Sequence, residues 1–391
     1  MEDRIIELPG IAEEKIHEEQ FSWFIEGDND DYLTSDAILV HQDEAAEYIK
    51  ASEAIFNLYE QAIVHVAENN LWHDLDIPES IVPLIMLDFE RGLPHICGRM
   101  DFAGGVDGLP LKLIEFNADT PAILPESVYF QEWMYEPVKD QYKGQYNYLL
   151  KDLITVFTDI RNKFPDRPAT LLLTSLGFEE DRLNLSVIET AAEAAGFEVD
   201  YADLDTVVFA KDGAYLQTDE GYVQYHFMYK MVPWEIIMFE ETELMDILVD
   251  LALDHDLVIL NPAYSIALQA KHMMTILYKL FPDNPYLLPT YDEARPLRGT
   301  KYVRKVNFGR MGENIDVINE EGFIEAQTEG DFGHYSRVYQ EFAEMYADED
   351  GDIYQASMYM ARGNASCLSF RRRDAMIIDD DAEFVSHVLF E

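Results

Sequence analysis

Two short runs carry the residue types best suited to chemistry. Arg99 and Asp101 lie two apart in GRMDF, and Glu115 and Asn117 lie two apart in LKLIEFNAD. On a strand, positions two apart share a face. Glycines and a proline in the intervening GGVDGLP make the pair of runs a β-hairpin with a long turn. Antiparallel pairing about position 108 sets Asp101 opposite Glu115 and Arg99 opposite Asn117. Like charges directly opposite destabilise a sheet, so something should compensate. A divalent cation would do so: two carboxylates and an amide carbonyl are hard oxygen donors that suit Mg²⁺ beside substrate phosphates. A hairpin whose charges simply sit in water satisfies the same pattern. Met100, Phe102, Ile114 and Phe116 fall on the other face, as expected of strands packed on a core.

A second run, KYVRKVNFGRMGENIDVI, reads as strand, glycine-containing loop, strand. It lacks the GK[ST] and following helix of a P-loop, and it is not GxGxxG before a helix. Gly309 and Gly312 still allow backbone N–H groups to approach a phosphate, and Lys305 closes the strand within reach of the same anion. Lys301, Arg304, Lys305 and Arg310 stand out in a chain with 28 basic and 76 acidic residues, as does the triplet Arg371, Arg372, Arg373. A hairpin turn with neutralising surface charges is the alternative.

Elements must hold these runs in place. Apolar positions from Ala45 to Val66 recur at helical spacing. SVYFQEWMYEPVKDQY from Ser127 and the Lys151–Lys163 stretch read as further helices. From Pro168 the pattern changes: PATLLLTS is a buried strand, DRLNLSVIETAAEAAG a helix ended by Gly196, and FEVDYADL a strand. Such a unit implies a parallel pair with a right-handed crossover. ALQAKHMMTILYKLF reads as one helix, and RVYQEFAEMY, IYQASMYMA, SCLSFRR and AMIID as closing strands. The acidic runs Ala347–Asp352 and Asp379–Asp381 read as solvated turns.

Composition narrows the partners. At 391 residues and 48% hydrophobic the chain can bury a large core. A formal charge of −48 repels nucleic acid and anionic membrane, and attracts cations such as metal ions or polyamines. Solubility or a salty habitat would account for the acidity as well. Cys97 and Cys367 stand far apart with no CxxC, which argues against a zinc ribbon or a disulfide framework. No signal peptide and no apolar run near 18 residues is visible, so a cytoplasmic, soluble chain is expected. Its oligomeric state is left open.

Together these segments resemble the glutathionylspermidine synthetase family of ATP-grasp acid–amine ligases, in particular its short single-activity bacterial members. The matching pieces are GRMDF, LIEFNADTPAILPES, EEDR, VPWE, NPAYSIALQAKHMMTILYKLFPDNPYLLPTY, KYVRKVNFGRMGENIDVI and HVLFE, in family order and across nearly the whole chain. The resemblance implies an α/β and α+β fold: a pre-ATP-grasp region and an ATP-grasp clamp. Residues 1–260 would form a synthetase-like core with the hairpin, and 261–391 an ATP-grasp part with the glycine loop, the two interleaving. By the same resemblance Asp101, Glu115 and Asn117 match Mg²⁺ ligands. Arg99 matches an arginine that steadies phosphoryl transfer, and Lys271 and Lys305 match two ATP-phosphate lysines. Gly309 to Gly312 match a loop over the phosphates, Gln340 falls near the adenine hinge, and Arg371 near the nucleotide.

Two departures stand out: Lys305-Val306 where relatives carry Lys-Pro, and no counterpart of the amidase domain, so no hydrolysis of the product amide is expected. The implied activity joins an acid, such as a glutathione-like peptide, to an amine, such as a polyamine, through an acyl phosphate made from ATP. A cationic amine would favour an acidic pocket, for which Glu180 and Asp181 of EEDR are the candidates; Thr120 is a further candidate on the substrate side. Acidic residues also cap a helix start, which is the plainer role for that pair. No Ser-His-Asp or Cys-His arrangement is evident for a covalent route. An inactive ATP-binding regulator and an acidic polyamine- or metal-binding protein are the rival readings.

Overall fold

Residues 4–26 and 32–391 are described by the computed structural model. Among them, eight strands build the largest sheet. In spatial order its main path runs Ile5–Glu7, Leu33–His41, Glu383–Phe390, Asn364–Arg373, Ile353–Ala361, Gly98–Ala103 and Lys112–Asn117. Tyr346–Ala347 adds to the edge of Ile353–Ala361. The sheet therefore draws strands from both sides of residue 261. Under it lies the helix Gln42–Asn69, whose buried positions Tyr48, Ala51, Ile55, Tyr59, Ala62 and Val66 repeat at three or four residues. The Glu44 carboxylate accepts the His41 N–H at 2.8 Å and starts this helix, and Asn70 in the left-handed region ends it.

The expected β-α-β unit is present. Thr170–Ser175 pairs in parallel with Glu198–Asp203, and helix Glu179–Ala194 makes the crossover. Phe227–Lys230 and Val258–Leu260 extend this parallel sheet to four strands. Leu171, Leu173, Phe227 and Leu260 are buried on one face against Val156, Phe157 and Ile160 of helix Leu149–Lys163. Near-continuous apolar strands suit a sheet covered on both faces.

A five-stranded antiparallel sheet carries the glycine loop, in the order Thr290–Tyr291, Arg337–Glu341, Tyr302–Val306, Asp316–Ile318, Ile324–Gln327. Three expectations need correction. The stretch AMIID is not a strand: residues 374–377 form bends, 378–379 are irregular, and Met376, Ile377 and Ile378 turn toward the cleft described below. The expected helix through Lys271 is broken into Ser265–Gln269 and His272–Leu280. The helix from Ser127 begins as a π-helical turn over Glu126–Phe130 and continues as helix only to Val138. No helix of the described residues is long and apolar enough to cross a membrane.

Candidate functional site

The hairpin pairs as its spacing requires. Arg99 lies opposite Asn117, and Asp101 opposite Glu115. Beyond Asp101 the register shifts by one residue, so Phe102 faces Leu113. That bulge corrects one expectation: Leu113 takes the core position, and Ile114 lines the cleft. The charged face does not sit in water. Arg99 is 8% exposed and Asp101 1%. Arg99 grips Asp101 with two parallel bonds, Nε to Oδ1 at 2.8 Å and Nη2 to Oδ2 at 2.9 Å. Ser357 Oγ and Asn117 Nδ2 donate to the same carboxylate at 2.8 and 3.0 Å.

Glu115 is held by cations. Its Oε2 pairs with Lys271 Nζ at 3.2 Å, and Asn117 Nδ2 donates to Oε1 at 3.2 Å. Burial alone would push this carboxyl up, but Lys271, Lys305 and these hydrogen bonds outweigh it and hold it well below the usual carboxylate range. Lys305, from the end of its strand, donates to the Ile114 carbonyl at 2.7 Å, a group at the bulge. Burial, with Lys271 nearby, draws its ammonium down to about 7 against the pull of Glu115.

Lys271 reaches the cleft because the helix breaks there. Ala270 is extended, the Lys271 N–H donates to the Asn307 carbonyl at 3.4 Å, and the His272 N–H donates to Asn307 Oδ1 at 3.0 Å. Asn307 thus accepts bonds that a continuous helix would direct to its own preceding turn. The Lys271 ammonium also donates to the Gly309 carbonyl at 2.6 Å, tying the glycine loop to the hairpin. At Gly312, φ is +70° and a Cβ would come within 2.5 Å of the Ile378 carbonyl oxygen, so only glycine fits.

These pieces line one cleft between the hairpin and the glycine loop. It is lined by Arg99, Asp101, Glu115, Asn117, Lys271, Lys305, Gly309, Gly312, Gln340 and Arg371. Apolar walls come from Leu288, Val303, Val317, Met345 and Ile377. Gln340 is buried and donates to Thr290 Oγ1 at 3.3 Å, and Arg371 donates to the Asp379 carbonyl. Thr120, Glu180 and Asp181 do not line this cleft. Glu180 and Asp181 stand in the first turn of helix Glu179–Ala194, where acidic charge suits the helix dipole, and neither makes a side-chain cap hydrogen bond among the described residues. Burial and the Glu180 charge raise Asp181 to about 6, with Arg310 opposing.

Among the described residues no three His, Cys, Asp or Glu are gathered to hold a metal. The site offers two carboxylates and an amide, whose oxygen and nitrogen exchange places by a half-turn of the side chain. That donor set is hard and anionic, and it fits Mg²⁺ rather than a softer metal.

A family model described as glutathionylspermidine synthase pre-ATP-grasp matches residues 6–390. The chain belongs to this family.

Within the glutathionylspermidine synthase family, it is 25% identical over 359 residues to the bifunctional glutathionylspermidine synthetase/amidase of Escherichia coli, covering 86% of this chain and 56% of that protein. Trypanothione synthetase of Crithidia fasciculata is 24% identical over 330 residues, covering 79% of this chain and 50% of that one. The chain thus spans about half the length of these curated relatives. A glutathione synthetase-like effector of Globodera pallida shares the fold, with a TM-score of 0.54 and 11% identity over 90% of this chain and 89% of that one.

Several residues of this family member were not singled out by sequence reasoning. Glu235, in the VPWE motif, is 1% exposed and pairs with Arg310 of the glycine loop. Asp119, directly after the hairpin, accepts Lys230 Nζ on both oxygens at 2.9 Å, with both side chains fully buried. Asp119 and Glu235 both lie inside the segments that carry the family resemblance, which is the signal that could have found them. The structure also aligns Asp292, His272 and Ser336, which corrects the expectation that no Ser-His-Asp arrangement exists. The Ser336 hydroxyl donates to Asp76, however, and a carboxylate against that oxygen opposes charge developing on it as a nucleophile.

Proposed function

We propose that this chain is an ATP- and Mg²⁺-dependent acid–amine ligase of the glutathionylspermidine synthase type, forming an amide bond through an acyl phosphate. The observation that carries the reading is the convergence of Arg99, Lys271 and Lys305 on the Asp101–Glu115–Asn117 face in one cleft. The γ-phosphoryl group of ATP passes to a substrate carboxylate; an amine then attacks the acyl carbon, loses a proton, and releases phosphate. Asp101, Glu115 and Asn117 would hold Mg²⁺, which when bound neutralises phosphate charge.

The chain's own residues supply position and field. Lys271 and Lys305 bind phosphate oxygens as point charges, exchanging the Gly309 and Ile114 carbonyls that they hold here. Arg99, locked by its bidentate grip on Asp101, aims its remaining donor capacity at the transferring group. Gly309 to Gly312 cover the phosphates, and Gln340 with the apolar walls receives the base. Phosphoryl transfer makes little covalent demand on side chains, so this arrangement of fixed charges suffices. Arg371 lines the same cleft and adds positive charge. A glutathione-like peptide and a polyamine are the proposed acid and amine, on the strength of the names that the relatives carry. Thr120, Glu180 and Asp181 are proposed on the substrate side.

The test uses an acid labelled with ¹⁸O in its carboxylate, incubated with ATP, Mg²⁺ and a panel of polyamines. ADP and phosphate bearing one labelled oxygen are expected. Release of AMP and pyrophosphate, or of unlabelled phosphate, overturns the activation step.

A further inference from the structure

The break in the helix at Lys271 is held by Asn307 and by further polar groups around His272. His272 is 7% exposed and has both ring nitrogens engaged. Nδ1 meets Asp292 Oδ1 at 2.8 Å, and Nε2 meets Ser336 Oγ at 2.7 Å. Ser336 is the residue that precedes strand Arg337–Glu341, and its carbonyl accepts the Asn307 N–H at 2.8 Å. Asn307 follows Lys305 by two residues and is fully buried. Its Nδ2 donates to the Leu75 carbonyl and to Asp76 Oδ2, each at 3.0 Å. Asp76 also accepts the Ser336 hydroxyl, which closes the circuit.

This circuit joins four segments that are distant in sequence: the turn after the long helix, the start of helix His272–Leu280, the root of the glycine loop, and the residue that leads into strand Arg337–Glu341. Lys271 precedes His272, and Lys305 lies two residues before Asn307. A lysine stem is flexible, so its Cα position must be set by something rigid if the ammonium is to be aimed. The backbone N–H groups of Lys271 and His272 are tied to Asn307, while the His272 ring is tied to Ser336, which leads into the strand paired with Tyr302–Val306.

We infer that His272 is a positioning residue that sets where Lys271 meets the phosphates, acting through Ser336 and Asn307. The inference rests on the phosphate role of Lys271 proposed above. It differs from a general packing role in one respect: the effect of losing His272 should pass through Lys271.

A double-mutant cycle on the full-length chain tests this, with Mg-ATP affinity read by titration calorimetry. His272→Ala should weaken binding about fivefold, and His272→Gln, which keeps a hydrogen-bonding group near Ser336, should recover part of the loss. Lys271→Met should weaken binding at least as much. The double variant His272→Ala/Lys271→Met should bind no more weakly than Lys271→Met alone. Losses that multiply in the double variant, or unchanged affinity in His272→Ala, overturn the inference while leaving the proposed function standing. Unchanged affinity in Lys271→Met overturns the phosphate role itself and the inference with it. If His272→Ala does not fold, Ser336→Ala removes the same ring contact from an exposed position and should show the same coupling to Lys271.

Discussion

Glu115 and Glu126 lie eleven positions apart on one continuous stretch, Glu126 buried and Glu115 half-buried, and their environments drive them in opposite directions. At the hairpin, Lys271 and Lys305 surround Glu115 and hold it ionised. At the π-helical turn, Glu126 is 3% exposed, its Oε1 accepts the Tyr32 hydroxyl at 2.6 Å, and its Oε2 has no hydrogen-bond partner among the described residues. Desolvation dominates there, Glu180 adds to it, and the carboxyl is pushed up to about 7 despite the Tyr32 bond and the more distant Arg371. Burial alone does not determine the charge of a carboxylate; a cation in contact does. The hairpin is arranged to stay charged, and the adjoining turn is not.

The sharpest way to break this contrast is to take a cation from the hairpin. Arg99→Ala leaves Asp101 buried without its bidentate partner. Turnover should fall by about 10³-fold, while Mg-ATP affinity changes by about threefold or less, because charge on the transferring group peaks in the transition state. Steady-state kinetics with calorimetric titration of the same sample checks both. Loss of affinity as large as the loss of turnover would place Arg99 in ground-state binding instead.

The second test works from the other glutamate. A carboxyl whose folded pKa is raised binds more protons folded than unfolded between about pH 4.5 and 7, so it lowers stability as pH rises through that window. Glu126→Gln removes the titration and keeps an acceptor for Tyr32. Relative to the parent, the variant should gain about 2 kcal/mol between pH 5 and pH 8. Denaturant unfolding at the two values measures it; a pH-independent difference would mean that Glu126 is ionised at neutral pH as Glu115 is.

The smallest expected effect distinguishes cations in the cleft from cations beside it. Lys305→Met should weaken Mg-ATP binding about tenfold. Lys301, which pairs with Glu325 at 2.9 Å and lies over the Phe342 ring, should matter about twofold or less when changed to Met. Equal losses from both would remove Lys305 from the proposed phosphate site.

Much of this arrangement was legible in the residues. The period of two in a strand places Arg99 and Asp101, and Glu115 and Asn117, on one face whatever the fold around them. Hairpin closure then leaves few registers, and the pairing opposite follows. The β-α-β unit was legible for the same local reason: an apolar run, an amphipathic helix stopped at Gly196, and a second strand. Other features depended on contacts between distant segments. The bulge that exchanges Leu113 for Ile114 gives Lys305 a carbonyl to hold, and that lysine comes from a strand almost two hundred positions away. The helix breaks before His272 because Asn307 accepts the N–H groups there, and nothing in ALQAKHMMTILYKLF contains that acceptor. Glu235 meets Arg310, and Glu126 meets Tyr32, because separate sheets and loops converge there. Local periodicity is a property of the backbone and travels with the sequence. The protonation of a buried carboxylate is a property of its neighbours, and folding alone chooses those.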